Sequence, residues 1–186
     1  MSDRQQGTRL TDGPPRWLLI AGIAVAAAAV VAVLVVAATM RRTPQSPPPA
    51  VPPVAAPQAA SPQCRALLGA LPQRLGDYRR ATPAQPVPPA TAAWVADSGG
   101  EPIVARCGLD RPADFVVGAP IQVVDSVQWF READSGGDLT TWFSVDRPVY
   151  VALTLPQGTG PTPIQQMSEI IAATVPAVPI TPGPPR

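Results

Sequence analysis

The sequence predicts an α+β membrane protein: an N-terminal transmembrane helix, then a small domain with an antiparallel β-meander and two flanking helices. Three observations predict this class. A long uncharged apolar run lies near the N-terminus, strands with period-two alternation follow one another in the second half, and a helical apolar stripe lies at each end of the globular part. Such an order is typical of α+β domains with the helices on one face of the sheet.

The apolar run is the first predicted element. Residues Trp17 to Met40 form 24 positions without a charge, closed by Arg41-Arg42. A helix of that length measures about 36 Å and can cross a hydrocarbon core of about 30 Å. A cleaved signal peptide has a shorter apolar core, and a buried globular helix is the other alternative. We predict an uncleaved anchor in the lipid bilayer over residues 17–40.

Positive charge predicts the orientation of this anchor. Arg4, Arg9, Arg16 and the α-amino group precede the run, whereas Arg41 and Arg42 follow it. Because cations beside a span stay on the cytoplasmic side, residues 1–16 are predicted to be a cytoplasmic tail. The protein would then be a single-pass cell-membrane protein with an extracytoplasmic C-terminal domain.

Proline-rich segments are predicted on both sides of that domain, which spans residues 63–175. Residues 41–62 are read as a linker, with eight prolines between positions 43 and 62. It is either a semi-rigid stalk or a disordered linker without a selected length. Residues 176–186 hold five prolines and are predicted to be a disordered tail.

Two helices are predicted in the domain. The first has Ser61 as N-cap and Pro62 at its first position. Its apolar stripe consists of Cys64, Leu67, Leu68 and Leu71. The second begins at Pro163 with Thr162 as its cap. Its stripe consists of Met167, Ile170, Ile171 and Thr174.

Five strands are predicted between the helices, after a proline-rich loop over residues 79–90. They are Ile103–Leu109, Ile121–Val124, Val127–Arg131, Leu139–Val145 and Val149–Leu155. The last four form the meander, and its predicted turns are Asp125-Ser126, Asp134–Asp138 and Asp146–Pro148.

The two cysteines, Cys64 and Cys107, lie on the inward faces of the first helix and the first of these strands. In an oxidising compartment they would form a disulfide worth about 4 kcal/mol by loop-closure entropy. Two buried thiols in a reducing compartment are the alternative. The membrane anchor favours the disulfide.

Composition excludes several kinds of chemistry. The chain has no histidine, and all 14 of its basic side chains are arginine. Catalysis by Ser-His-Asp or Cys-His is therefore excluded, as is a Ser-Lys dyad. The net charge of +1, without a clustered basic face, gives no reason to expect nucleic acid. The sequence predicts no catalytic residue, no cofactor and no metal site, and it favours a binding protein over an enzyme.

Two acid-containing turns, Asp97–Glu101 and Asp134–Asp138, share an Asp-Ser-Gly-Gly pattern. Clustered carboxylates can bind calcium, but neither segment has the regular spacing of a calcium loop. Both are predicted to be tight turns.

A candidate binding surface consists of Trp129, Trp142 and Arg147. The two tryptophans lie on neighbouring predicted strands, and an exposed aromatic pair beside an arginine could bind a glycan or a peptide. The alternative is that the tryptophans are packed in the core.

Several segments together resemble a family of uncharacterised, membrane-anchored actinobacterial proteins that share a domain of unknown function. They are Cys64 with Leu67-Leu68 and Leu71-Pro72, Ala93-Trp94, Ala105–Gly108, Val124–Val127 before Trp129, and Arg147–Val151. The chain departs from the family pattern at Val95 and Asp125-Ser126, and it carries an insertion over residues 95–100. The resemblance implies an extracytoplasmic cell-envelope domain and brings no activity or catalytic residue.

The sequence thus leads to two functional expectations. The first is an extracytoplasmic domain that binds or scaffolds an envelope protein or glycan. The alternative is a carboxylate-dependent hydrolase or transferase that acts on envelope glycans, which would need two acids facing each other across a cleft.

Overall fold

The computed structural model describes residues 16–40, 47–133, 136 and 138–185. The chain forms two compact units, Met1–Gln45 and Ser46–Arg186. The first contains helix α1 (Arg16–Met40), whose side chains from Trp17 to Val36 are exposed. The prediction of an apolar helix is confirmed, because α1 is long and apolar enough to span a membrane. The predicted cytoplasmic tail up to residue 15 and Arg41-Arg42 lie outside the described residues.

The second unit contains two helices and eight strands within the described residues. In chain order they are α2 (Pro62–Ala70), β1 (Arg74–Leu75), β2 (Tyr78–Ala81), β3 (Thr91–Ala96), β4 (Ile103–Leu109), β5 (Ile121–Val124), β6 (Val127–Ala133), β7 (Leu139–Ser144), β8 (Tyr150–Pro156) and α3 (Thr162–Thr174). The α+β class is confirmed.

One antiparallel sheet holds all eight strands in the order β1-β2-β3-β4-β8-β7-β6-β5. The predicted meander is present as β5 to β8, and it joins the rest of the sheet where β8 pairs with β4. The hairpin between β5 and β6 turns at Asp125-Ser126, as predicted. Asp125 has a φ of 53°, in the left-handed region that Asp tolerates better than most residues. Residues 134, 135 and 137 of the predicted Asp134–Asp138 turn lie outside the described residues.

Strands β1, β2 and β3 were not predicted. The predicted loop over residues 79–90 begins instead with strand β2, which pairs with β3. Neither β2 nor β3 shows an alternating pattern: β2 is a short strand rich in arginine, and the four central residues of β3 are buried on both faces of the sheet. Period-two alternation identifies only strands with one solvated face.

Both helices of the second unit pack on one face of the sheet, as predicted. Their buried residues share a core with the inward residues of β3, β4, β6 and β8. Helix α3 contacts β1 at one end of the strand order and β5 and β6 at the other, so the sheet curves around it. We call this the concave face.

The predicted N-cap is correct for α2 and wrong for α3. The hydroxyl oxygen of Ser61 accepts a hydrogen bond of 3.2 Å from the Cys64 N–H and caps α2, which begins at Pro62. Thr162 is not the cap of α3 but its first residue, because Pro161 occupies the N-cap position without a side-chain cap. Such one-residue differences are usual at helix ends.

Cys64 and Cys107 are joined by a disulfide with a Cα–Cα distance of 5.5 Å. Both cysteines are buried in the core of the concave face. The bond fastens α2 to β4, which is one of the central strands.

The opposite face, which we call the back face, is covered by proline-rich backbone. Val51 is buried there against Ala93 and Val104. The N–H of Gln58 donates a 3.0 Å hydrogen bond to the carbonyl of Gly108. Gly108 has a φ of 86°, and a Cβ there would lie 2.4 Å from the backbone nitrogen of residue 59. Residues 47–60 therefore differ from the predicted free linker, because they pack directly on β4.

The C-terminal tail covers the other half of the back face. Gly183 donates a hydrogen bond of 2.8 Å to the Phe115 carbonyl and accepts one of 2.9 Å from the N–H of Val117. The N–H of Val178 donates to the carbonyl of Asp146 at 2.9 Å. Residues 176–185 therefore differ from the predicted disordered tail. Backbone hydrogen bonds at Val178 and Gly183 and the packing of Ile180 hold this segment on the sheet.

Candidate functional site

An open groove lies on the concave face, with a volume of about 660 Å³. One side is formed by the last residues of β5 and its turn, residues 122–125. The floor includes Arg131 of β6 and Thr140 and Trp142 of β7. The other side is formed by residues 155–161, which lead from β8 into α3, and by the first turn of α3. A concave surface of this size is a candidate for a binding site.

Arg131 and Trp142 lie opposite each other on paired strands. The guanidinium carbon of Arg131 is 5.9 Å from the centre of the Trp142 ring, which places the cation against the aromatic face. Such contacts contribute about 0.5–1 kcal/mol at exposed sites. Arg131 is exposed, whereas Trp142 is half-buried and also packs against the core. The pair therefore presents a positive charge that is held in place by an aromatic side chain.

Arg131 has no acidic partner within the part of the chain that the structure describes. The ion pairs there are Arg79 with Asp97 at 3.4 Å and Arg147 with Asp146 at 2.9 Å. The positive charge of Arg131 is therefore available to a negatively charged ligand.

Apart from Arg131 and the carboxylate of Asp125, the polar side chains that line the groove are uncharged. They are the amides of Gln122, Gln157 and Gln165 and the hydroxyls of Thr140 and Thr159. Each of these groups can donate or accept hydrogen bonds. The side-chain oxygen of Thr159 also lies 3.4 Å from the hydroxyl of Tyr78. The groove thus combines one cation, one carboxylate, an aromatic ring and neutral hydrogen-bonding groups.

Among the described residues that line the groove, Asp125 supplies the one carboxylate. Glycosidases generally need two carboxyl groups about 5–10 Å apart, and this groove does not provide such a pair from its described lining. The described residues also contain no group of three or more Cys, Asp or Glu side chains that could hold a metal ion. The first Asp-Ser-Gly-Gly segment forms a turn, and Asp97 within it pairs with Arg79.

The structure does not bring the predicted surface residues Trp129, Trp142 and Arg147 together. Trp129 is fully buried, and its indole N–H donates a 3.0 Å hydrogen bond to the hydroxyl of Ser168. It belongs to the core, which was the alternative interpretation. The guanidinium of Arg147 is also buried, since it pairs with Asp146 and donates to the Ser126 carbonyl at 3.1 Å. Only Trp142 lines the groove.

Sequence reasoning missed Arg131. In the structure this arginine, and not Arg147, contacts the ring of Trp142. One signal for it was present: Arg131 follows Trp129 by two positions, and alternation places both on the same face of the strand. The sequence places Arg147 beside the tryptophans instead. In the structure it lies in the turn after β7, where Asp146 holds it inward.

Comparison with known protein families decides the classification of the chain. A family model described as "Protein of unknown function (DUF3515)" matches residues 23–180. The chain belongs to the DUF3515 family. The match includes most of α1 and the whole sheet. Comparisons with curated proteins and with solved structures gave no match.

The DUF3515 match agrees with the resemblance found in the sequence at the level of a family of unknown function. It carries no information on source organism or on individual motifs, so an actinobacterial origin stays a prediction. The match covers all the groove residues, which makes the groove a part of the DUF3515 domain.

Proposed function

We propose that this DUF3515 protein is a single-pass membrane protein that binds another component of the cell envelope outside the cytoplasm. Helix α1 would be the anchor, with the N-terminus in the cytoplasm. The apolar length of α1 and the excess of arginine before it support this arrangement. The disulfide between Cys64 and Cys107 also supports it, because such bonds persist in oxidising compartments.

The observation that carries the binding function is the open groove beside Arg131 and Trp142. An exposed cation that stacks on an aromatic ring contributes little to folding, since a solvated charge gains only a small interaction there. The indole N–H of Trp142 has no hydrogen-bond partner among the described residues, whereas those of Trp94 and Trp129 donate to Pro72 and Ser168. Arg131 and Trp142 thus retain groups that a ligand could engage.

The location can be tested with reporters fused after Arg186 of the full chain. Alkaline phosphatase, which is active only outside the cytoplasm, should be active there. A green fluorescent protein that folds only in the cytoplasm should stay dark at the same position. The opposite pair of results would overturn the proposed orientation, because it would place the groove in the cytoplasm.

Binding at the groove can be tested by photo-crosslinking in living cells. A photoreactive phenylalanine derivative would replace Gln165, which is exposed and lines the groove. The control is the same replacement at Ala173, also exposed on α3 but about 12 Å further along the helix axis. We expect a discrete adduct from position 165 that is absent from position 173 and is reduced by Trp142→Ala. No adduct at position 165, or equal adducts at both positions, would contradict a ligand in the groove.

A further inference from the structure

The open backbone edge of β5 points to the kind of ligand that the groove takes. Strand β5 is the last in the sheet order and pairs only with β6. The two-residue hairpin between them closes at the pair Val124 and Val127. In such a hairpin the closing pair is hydrogen-bonded, and hydrogen-bonded and non-bonded pairs then alternate along the ladder. The N–H and C=O groups of Val123 and Ile121 therefore point away from β6.

These outward groups are open to a further strand. No hydrogen bond to Ile121 or Val123 from outside the β5–β6 ladder is present within the described ranges. Val123 is 68 % exposed, so no other described segment covers this part of the edge. The edge of β5 is only four residues long and is preceded by Pro120, which limits edge-to-edge pairing, but it carries no lysine, proline or bulge between Ile121 and Val124.

The groove runs beside this edge. Residues 122–125 line it on one side, and Pro161, Ile164 and Gln165 line it on the other. A strand edge that faces the first turn of a helix across an open groove suits an extended chain, whose alternate side chains can enter the groove. A compact ligand would leave the outward backbone groups of β5 bonded to water rather than to the ligand.

The position of Arg131 indicates which side chain such a chain carries. Arg131 lies on β6, one residue beyond the pair of Ile121 and Phe130, so a strand added beside β5 would lie two strand spacings, or at least about 10 Å, from the backbone of Arg131. The side chains of arginine and glutamate together can reach across that distance. Because Arg131 has no acidic partner among the described residues, a carboxylate on the added strand would complete its interactions.

We propose that the groove binds an extended, acidic peptide segment of a partner protein, which adds a strand beside β5 and places a carboxylate against Arg131. This inference rests on the proposed function, because it names the ligand of the same groove. A second copy of the chain is the other occupant to be tested, because its own β5 is followed by Asp125, which could also supply a carboxylate. The sedimentation experiment below distinguishes it from a partner segment.

The test uses full-length protein in detergent micelles and a phage-displayed library of random linear heptapeptides. We expect enrichment of peptides that contain Asp or Glu. Backbone N-methylation of an enriched peptide should lower its affinity about tenfold at alternate residues and little at the residues between them, because only alternate N–H groups face β5. This pattern does not depend on any variant of the protein.

Two variants of Val123 provide a matched test on the protein side. Val123→Pro removes the outward N–H, which an edge strand tolerates when that group faces solvent. Val123→Thr keeps the N–H and a similar shape. We expect Val123→Pro to weaken peptide binding about tenfold and Val123→Thr to stay within about threefold of the wild type. Circular dichroism checks that both variants are folded.

Several results would overturn strand addition. They are no enrichment of acidic peptides, equal effects of N-methylation at every residue, or unchanged binding by folded Val123→Pro. Self-association of the wild type in sedimentation that is lost in Val123→Pro would make a second copy the occupant. If the crosslink from position 165 forms equally in wild type and Val123→Pro, the groove binds without strand pairing, and the proposed function stands. If the wild type gives no crosslink, the proposed function fails as well.

Discussion

Two arginine–tryptophan pairs lie in opposite halves of the sheet and have the same local arrangement. Arg80 and Trp94 face each other across β2 and β3, and Arg131 and Trp142 face each other across β6 and β7. The guanidinium carbon lies 4.9 Å from the ring centre in the first pair and 5.9 Å in the second. In both pairs the cation stacks on the aromatic ring.

The surroundings of the two pairs differ. Trp94 is fully buried, and its indole N–H donates a 3.0 Å hydrogen bond to the carbonyl of Pro72, two residues after the end of α2. Burial also lowers the pKa of the Arg80 guanidinium, because desolvation disfavours the charged form. Trp142 is half-buried beside an open groove, and Arg131 is exposed.

The comparison separates a structural role from a binding role for the same contact. In the first pair, the connection that follows α2 covers the ring and satisfies its N–H. In the second pair, nothing within the described chain satisfies the corresponding N–H, and the positive charge has no acidic partner. We therefore expect substitutions in the first pair to reduce stability and substitutions in the second to reduce binding.

The largest expected difference is between the two tryptophans. Trp94→Ala should lower the free energy of unfolding by about 4 kcal/mol, because it removes a fully buried side chain and leaves a cavity. Trp142→Ala should lower it by only about 1–2 kcal/mol, since this ring is partly solvated. Urea unfolding of the full chain in micelles, followed by circular dichroism because each variant removes one of the four tryptophans, measures both values.

In the crosslinking experiment, substitution of Trp142 must have a larger effect than substitution of Trp94. Trp142→Ala should reduce the crosslink from position 165, and a Trp94 variant that stays folded, such as Trp94→Phe, should leave it unchanged. If Trp142→Ala is as destabilising as Trp94→Ala, the second pair is part of the core, and the contrast between the pairs disappears.

The two halves of the sheet also differ in how well the sequence predicts their strands. The half that contains Trp142 was predicted almost strand by strand, because β5 to β8 are separated by turn residues and their apolar residues alternate clearly. The half that contains Trp94 was largely missed. Strand β3 is buried on both faces, and β1 and β2 are short strands that precede a proline-rich loop. Neither situation produces a period-two signal.

The site itself was only partly predictable. Trp142 was identified, but Trp129 and Arg147 are buried by partners that the local sequence does not reveal. Ser168, which accepts the hydrogen bond from Trp129, lies 39 residues away along the chain. The packing of residues 47–60 and 176–185 was missed for a related reason. Their contacts combine a few backbone hydrogen bonds with isolated apolar side chains, Val51 and Ile180, and neither leaves a periodic pattern in the sequence.

The next largest effect should come from the disulfide, which holds α2 over the first half of the sheet. Cys64→Ala together with Cys107→Ala should lower the free energy of unfolding by about 3 kcal/mol. Closure of a 43-residue loop accounts for about 4 kcal/mol at most, and relaxation of the folded state reduces that value. Comparison of the double variant with the oxidised wild type by urea unfolding measures the loss.

Hydrogen exchange on the same double variant shows which elements lose stability when the disulfide is removed. The amides of α2 and β3 should exchange faster, because α2 is no longer fastened to β4 near Trp94. The amides of β6 and β7 around Arg131 should change little. Uniform acceleration across the whole sheet would mean that the disulfide stabilises both halves equally.

The smallest effects are expected for the two arginines. Arg80→Gln should lower the free energy of unfolding by about 1 kcal/mol, because it removes a cation that stacks on a buried ring. Arg131→Gln should change it by less than about 0.5 kcal/mol, since this side chain is exposed and makes no ion pair with the described residues.

Binding separates the two arginine variants more sharply than stability does. Arg131→Gln should weaken the binding of acidic peptides, and a peptide whose acidic residue is replaced by its amide should bind the wild type and Arg131→Gln equally. Arg80→Gln should bind acidic peptides as the wild type does, because Arg80 does not line the groove. If both arginine variants weaken peptide binding to the same extent, the effect comes from the net charge of the domain rather than from a contact in the groove. The second pair would then have no special role.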